Sequence, residues 1–293
     1  MNWLFKLCLT VSSIFWFGIY PCQSEPLKTY PGEGPESPLS NYSDLSDLFS
    51  LYQPYLANIS AYEPIYFLVG ADPKESKFQL SMKYRLFNPK GSLNVRHPWL
   101  AGIHLAYTQT SFWDLKSDSA PFSDTSYKPE FFFLTSNLNR YLPKFEGLFF
   151  QFGLQHESNG RGEQHSRSTN FFYLKPYFIQ YNPVTKLGLQ LSPRVFLYIN
   201  NDGESNADLS DYRGYFDLET KLGKADGFVF TSNIRMAKKG ISFISDLTYP
   251  VSNLTGGNFD LYLQVEYSNV RSESLLNYEE RVQAVRIGFA IVR

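Results

Sequence analysis

From about Tyr62 onward, hydrophobic and polar residues alternate in segments separated by short polar stretches. In 77–87, Phe78, Leu80, Met82, Tyr84 and Leu86 share one parity, while Lys77, Gln79, Ser81, Lys83 and Arg85 share the other. In 186–199, Leu187, Leu189, Leu191, Val195 and Leu197 oppose Gln190, Ser192, Arg194 and Tyr198. In 258–267, Phe259, Leu261, Leu263 and Val265 oppose Asp260, Gln264 and Glu266. Side chains alternate across a strand, so each segment predicts a strand with one apolar and one polar face.

About twelve such strands are expected, near 62–69, 77–87, 100–112, 127–137, 145–158, 168–181, 186–199, 213–222, 227–236, 240–249, 257–269 and 281–292. A soluble sandwich can carry the same alternation. Length and number favour an all-β, transmembrane, antiparallel up-and-down barrel, because many segments are long enough to cross a bilayer at a tilt. Charges recurring mid-strand suit a polar barrel interior. An even count puts both ends of the barrel on one side of the membrane. The polar stretches 113–126, 159–167, 200–212 and 270–280 then fall outside, and 182–184 and 223–225 inside. The connection 88–99 is long for an inner turn, and 237–239 is short for an outer loop.

Composition narrows the setting. Residues 1–24 read as a secretory signal, with Lys6 before the apolar stretch 7–20 and small residues near 22–24. Removing it takes away both cysteines, Cys8 and Cys22, leaving no disulfide and no thiol site. Residues 25–60 form a Pro-, Ser-, Asp- and Tyr-rich periplasmic segment, and 61–293 the barrel domain. A formal net charge of −1 gives no electrostatic case for nucleic-acid binding. Aromatic residues make up 17% of the chain, and no later stretch is long enough for a membrane-spanning helix.

Candidate chemistry gathers in the block His156-Glu157-Ser158-Asn159-Gly160-Arg161 and the following Ser166-Arg167-Ser168-Thr169-Asn170. In strand 145–158 the even positions Leu148, Phe150, Phe152 and Leu154 are apolar, so His156 and Ser158 project outward with them. In strand 168–181 Phe172, Leu174 and Phe178 are apolar, so Asn170 also points outward. A hairpin closing across 159–167 sets His156 opposite Asn170, with Ser158 two residues along on the same face. Polar groups facing lipid are costly unless they satisfy one another. Here they form a nucleophile, a base and an orienting group. A serine hydroxyl needs an adjacent base, imidazole titrates near neutrality, and an amide oxygen can orient the ring without burying a carboxylate. The bland alternative is a set of ordinary polar residues at a barrel rim.

These spacings resemble the signature of the outer-membrane phospholipase A family: His156-x-Ser158-Asn159-Gly160-Arg161, four residues, then Ser166-Arg167-Ser168-x-Asn170. Weaker similarity runs from about Leu51 onward and includes 77–81, 107–109 and 121–129. The resemblance implies a twelve-stranded, calcium-dependent barrel that hydrolyses acyl esters of phospholipids and lysophospholipids and is active as a homodimer in the outer membrane, its active site toward the outer leaflet. It further implies Ser158 as nucleophile, His156 as general base and acid, Asn170 as its orienting partner and the Gly160 N–H in the oxyanion hole. Calcium would be held by the Arg161 carbonyl, the Ser166 side chain and a loop serine of the opposite subunit, best matched by Ser119. Gln109 would hydrogen-bond across the dimer. Its parity agrees, since it shares the odd face with Ile103, Leu105 and Tyr107.

His97 and His104 are expected to be structural, His165 has no role in the pattern, and the acidic run 202–211 reads as a solvated outer loop. Two rival readings share parts of this sequence. A non-catalytic pore would keep the strands without needing the His-Ser-Asn set to face outward. A soluble periplasmic esterase would pack its apolar strand faces internally.

Overall fold

The computed structural model describes residues 55–293 apart from Asp202. The expected signal at 1–24 and the following segment up to residue 54 lie outside the described residues, as does Asp202 itself. The strands are β1 (Ile59–Ala61), β2 (Ile65–Gly70), β3 (Ser76–Arg85), β4 (Ile103–Trp113), β5 (Phe122–Leu134), β6 (Gly147–Ser158) and β7 (Ser168–Asn182). They continue as β8 (Leu187–Asn201), β9 (Phe216–Lys224), β10 (Val229–Ala237), β11 (Gly240–Pro250), β12 (Tyr262–Arg271) and β13 (Arg281–Val292). From β2 to β13 each pairs antiparallel with its sequence neighbours, β1 pairs with β3, and β13 returns to pair with β2.

The closed wall has twelve positions, as the sequence predicts. The two shortest strands share one of them: β1 pairs with one half of β3 (Ile59 opposite Tyr84) and β2 with the other half (Phe67 opposite Phe78). The break between them carries Pro64, which has no N–H to give to a ladder. At the break Tyr62 donates its hydroxyl to Glu130 Oε1 at 2.8 Å. Closure leaves this wall no free edge, so its backbone groups are paired without water.

The faces are inverted relative to a soluble protein. Leu80, Met82, Phe131, Leu154, Phe172, Leu197, Ile287 and Phe289 are exposed on the outside, whereas Lys77, Glu266, Arg286 and Asp217 are buried within. Such a band is stable only against lipid, which excludes the soluble-esterase reading. Inside, charge is held by charge. Lys77 Nζ lies 2.8 Å from Glu266 and 2.9 Å from Glu273, and Arg286 lies 2.6 Å from Glu266 and 3.0 Å from Glu273. Lys175 meets Glu219 at 3.0 Å, and Arg194 meets Asp217 at 2.5 Å. Removing one partner of such a buried pair typically costs about 3–5 kcal/mol.

Where strand limits depart from the sequence reading, local geometry explains the difference. β12 starts at Tyr262 rather than near 257, because Gly256 (φ 64°) and Gly257 (φ 87°) turn the chain first. β5 starts at Phe122, because its ladder with β4 runs up to Trp113 opposite Phe122. The long connection 86–102 holds a short helix, α1 (Ser92–Arg96), and the single 3-10 turn Pro98–Gly102. The short one is a tight hairpin in which Ala237 pairs directly with Gly240 (φ 117°). At the outer end, α2 (Leu209–Arg213) packs Leu209 against Leu275 and Tyr278 of the 272–280 loop. Tyr278 donates to Asp208 at 2.6 Å and Lys238 pairs with Asp211 at 2.8 Å, so part of the acidic run is spent on tying the loops together.

Candidate active site

Strands β6 and β7 run in unbroken register from Gly147 opposite Ile179 to Ser158 opposite Ser168. That register places His156 directly opposite Asn170. Leu154 and Phe172, two pairs below, are exposed on the lipid side, whereas Glu157, Thr169 and Phe171 are buried in the interior. His156, Ser158 and Asn170 therefore share the outward face, as parity predicts. His156 Nδ1 and Asn170 Oδ1 are 2.8 Å apart. A carboxamide oxygen only accepts, so Nδ1 carries the proton and Nε2 keeps its lone pair. The ring is thereby prepared to take a proton from a neighbour on the same face, and Ser158 is the next residue there.

The turn beyond Ser158 is built by Asn159. It is buried, its Nδ2 donates to the His165 carbonyl at 2.9 Å, and its Oδ1 accepts from Arg161 N (3.3 Å) and Arg167 N (3.1 Å). One side chain thus closes the whole 159–167 loop. Gly160 follows in the left-handed region (φ 68°), where a Cβ would stand 2.7 Å from Tyr127 Cε2. Glycine is required there by both backbone and space.

A family model for Phospholipase A1 matches residues 53–291, which include all of these positions. The chain belongs to the phospholipase A1 family. It is 29% identical over 244 residues to Phospholipase A1 of Proteus vulgaris, covering 80% of this chain and 75% of that protein. Its fold is similar to outer membrane phospholipase A from Escherichia coli, with a TM-score of 0.64 at 22% identity, covering 80% of this chain and 98% of that one. It is also similar to the outer membrane phospholipase of Salmonella typhi, described as a dimer with bound calcium (TM-score 0.63, 22% identity, 80% and 92% covered). Family membership and a closed barrel with an apolar outer band make this chain an outer-membrane phospholipid hydrolase.

The positions predicted to hold calcium in this phospholipase A1 family member fall in two places. Arg161 and Ser166 lie in the 159–167 loop beside the hairpin. The Arg161 guanidinium reaches the Ser123 carbonyl and stands 3.5 Å from buried Asp124, and this leaves the main-chain carbonyl as the donor Arg161 can offer an ion. Ser119 is in the separate 114–121 turn, exposed and at φ 64°. That turn is fixed by Asp114, which accepts from Lys116 N (3.0 Å), Ser117 N (3.0 Å) and Ser117 Oγ (2.6 Å). A carbonyl and a hydroxyl are hard oxygen donors of the type calcium takes, but two of them are too few. Among the described residues no group of three or more His, Cys, Asp or Glu could hold a metal. The donor chemistry of this loop therefore fits calcium in type, without making a full site from the described residues.

Gln109 lies on the outward face of β4, in one cross-strand row with Tyr127 and Ser158. Its Oε1 accepts from Tyr107 at 3.0 Å, and its Nε2 donates to Ser111 Oγ at 3.2 Å. His104 is buried against the Phe132 ring with centroids 5.0 Å apart, a structural role as expected.

Three supports escaped the sequence reading. Glu157, pointing inward between His156 and Ser158, is held by Arg213 at 2.6 Å. Asn206, buried in the loop before α2, donates to the Ser168 carbonyl at 3.1 Å and so braces the start of β7. Asn159 is the third. Glu157 carried a signal, since an acid on the inner face requires a cation; its partner's position did not.

Proposed function

We propose that this outer-membrane phospholipase is calcium-dependent, works through a Ser158–His156–Asn170 triad and is active as a homodimer. The observation that carries the reading is the His156–Asn170 hydrogen bond on the lipid-facing wall, with Ser158 next on that face. A lipid ester reaching this wall meets the nucleophile without leaving the bilayer boundary.

His156 Nε2 takes the Ser158 proton as Oγ attacks the acyl carbonyl, and Asn170 holds the ring and its tautomer throughout. The Gly160 N–H donates to the developing oxyanion. His156 then returns its proton to the departing alkoxide, releasing a lysophospholipid or its deacylated product. Water, deprotonated by the same imidazole, hydrolyses the acyl-serine and regenerates Ser158. Calcium held by the Arg161 carbonyl, the Ser166 hydroxyl and Ser119 of a second copy would supply positive charge beside that oxyanion.

Dimerisation is supported by the incomplete donor set of one chain and by the polar row Tyr107, Gln109 and Ser111 on the outward face of β4, which a second chain would cover more favourably than lipid. The calcium-bound dimer described for the Salmonella typhi protein agrees with this reading.

The deciding experiment is hydrolysis of a defined phospholipid by detergent-refolded protein, wild type against Ser158→Ala, with calcium and with chelator. Activity that disappears in both the variant and the chelator supports the reading. Equal turnover by the Ser158→Ala protein would sink the triad, and full chelator-resistant turnover would sink the calcium requirement.

A further inference from the structure

Charge inside the upper barrel does not balance. A cavity of about 240 Å³ inside the barrel is lined by six cations and five carboxylates. Lys77 pairs with Glu273 and Lys175 with Glu219, which leaves Lys128, Arg194, Arg213 and Arg235 facing Glu63, Glu157 and Asp217. Glu157 and Asp217 are already engaged. Glu157 accepts from Arg213 Nη1 at 2.6 Å, and Asp217 accepts from Arg194 Nε at 2.9 Å and Nη2 at 2.5 Å. Arg235 stands directly opposite Asp217 in the β9–β10 ladder, yet its guanidinium turns to the carbonyls of Arg271 (3.2 Å) and Ser272 (3.4 Å). Among the described residues Lys128 has no ion-pair partner within 4.0 Å. Its register explains why. Lys128 lies opposite Thr108, in the row between Tyr127–Ser158 and Glu130–Gln155, so the carboxylate it faces is Glu157, which Arg213 occupies.

An ammonium with no ion-pair partner and a guanidinium met only by carbonyls are costly to bury, and proteins reduce that cost by pairing or by binding an ion. The neighbouring lining residue Asn233 adds a neutral amide, while the Gln155 amide already donates to Glu130 Oε2 at 2.6 Å. Ammonium, guanidinium and amide groups lining one cavity from different strands offer several directed N–H bonds, which suits a multi-oxygen anion better than a spherical one.

We propose that this chamber is a binding site for an inorganic oxyanion of the sulfate–phosphate class, held principally by Lys128 and Arg235. The site lies on the inner face, behind the strand that carries Glu157, and is distinct from the outward catalytic face. A bound anion gives Lys128 and Arg235 the counter-charge that Glu157 and Asp217 give to Arg213 and Arg194.

The test uses refolded wild type and the Lys128→Met/Arg235→Gln double variant. Sulfate is titrated against thermal unfolding in detergent, with ionic strength held constant by chloride. The proposal expects a saturable rise in the wild-type midpoint that the double variant lacks. It also expects an anomalous peak beside Lys128 when wild-type crystals are soaked in selenate. Identical sulfate responses in the two proteins, a response to chloride but not sulfate, or an empty chamber in the selenate map would each overturn it. The selenate map decides alone if the double variant fails to fold.

Discussion

Across one directly paired position of β6 and β7, His156 Nδ1 lies 2.8 Å from Asn170 Oδ1 on the lipid side of the wall. The bond fixes the ring's proton on Nδ1 and its orientation at once. Replacing Asn170 by Ala leaves the base in place but frees its rotation and tautomer. Turnover is expected to fall by roughly 10²-fold with little change in substrate KM, less than the loss caused by Ser158→Ala. A steady-state comparison of the two variants on one phospholipid checks the order, and an Asn170→Ala enzyme at wild-type turnover would remove Asn170 from the mechanism.

The calcium reading makes its own demand on Ser166. If its hydroxyl and the Arg161 carbonyl are the ligands contributed by this loop, Ser166→Ala should raise the calcium concentration for half-maximal activity by roughly 10-fold. Activity should recover at high calcium, since water can replace one neutral oxygen. Ser119→Ala should behave similarly, and mixing it with a Ser158→Ala chain should restore sites that pair an intact nucleophile with an intact donor loop. A Ser166→Ala protein with an unchanged calcium titration would remove this residue from the ligand set.

These positions were legible in the sequence for a simple physical reason. A strand's period of two fixes which face each residue takes, so the outward set followed from parity once Leu154 and Phe172 were seen to be apolar. The hairpin partner followed from loop length, and the observed pairing of His156 with Asn170 agrees. Interior partners were not legible, because Glu157 meets Arg213 across 56 residues and Lys77 meets Glu273 across 196. Such pairs depend on barrel closure and on where outer loops fold back, neither of which leaves a local period. Strand limits were least legible where glycine turns intervene, as at Gly256 and Gly257 before β12.

Gly160 gives a test that separates loop geometry from barrel folding. Adding a methyl group there meets Tyr127 Cε2 at 2.7 Å and imposes a left-handed backbone on a residue with a Cβ, a strain of about 1–3 kcal/mol. The residue is in an exposed turn at the end of β6, so Gly160→Ala should insert and close normally. The expected outcome is wild-type heat-modifiable migration on a gel with turnover reduced by roughly 10²-fold, as for loss of an oxyanion donor. Normal turnover would mean that the Gly160 N–H is not aimed at the reacting carbonyl.

Acid should expose the inner ion-pair network at its outer-loop member, Glu273. Burial alone would raise its pKa, but Lys77 and Arg286 outweigh that effect and hold it down to about 2. In the unfolded chain a glutamate titrates near about 4.3. A group whose folded value is depressed contributes stability that is complete above the unfolded value and is lost as pH falls toward the folded one. The contribution of Glu273 is therefore present above about pH 4 and disappears on the way down to about pH 2. Glu273→Gln removes it at every pH and leaves Lys77 and Arg286 sharing Glu266, with Glu75 3.8 Å from Arg286. The variant should unfold at lower denaturant than wild type at pH 7, and the gap should narrow as both are taken through that acid window. A gap that stays constant from neutral pH to about pH 2 would show that the carboxylate charge of Glu273 does not stabilise the barrel.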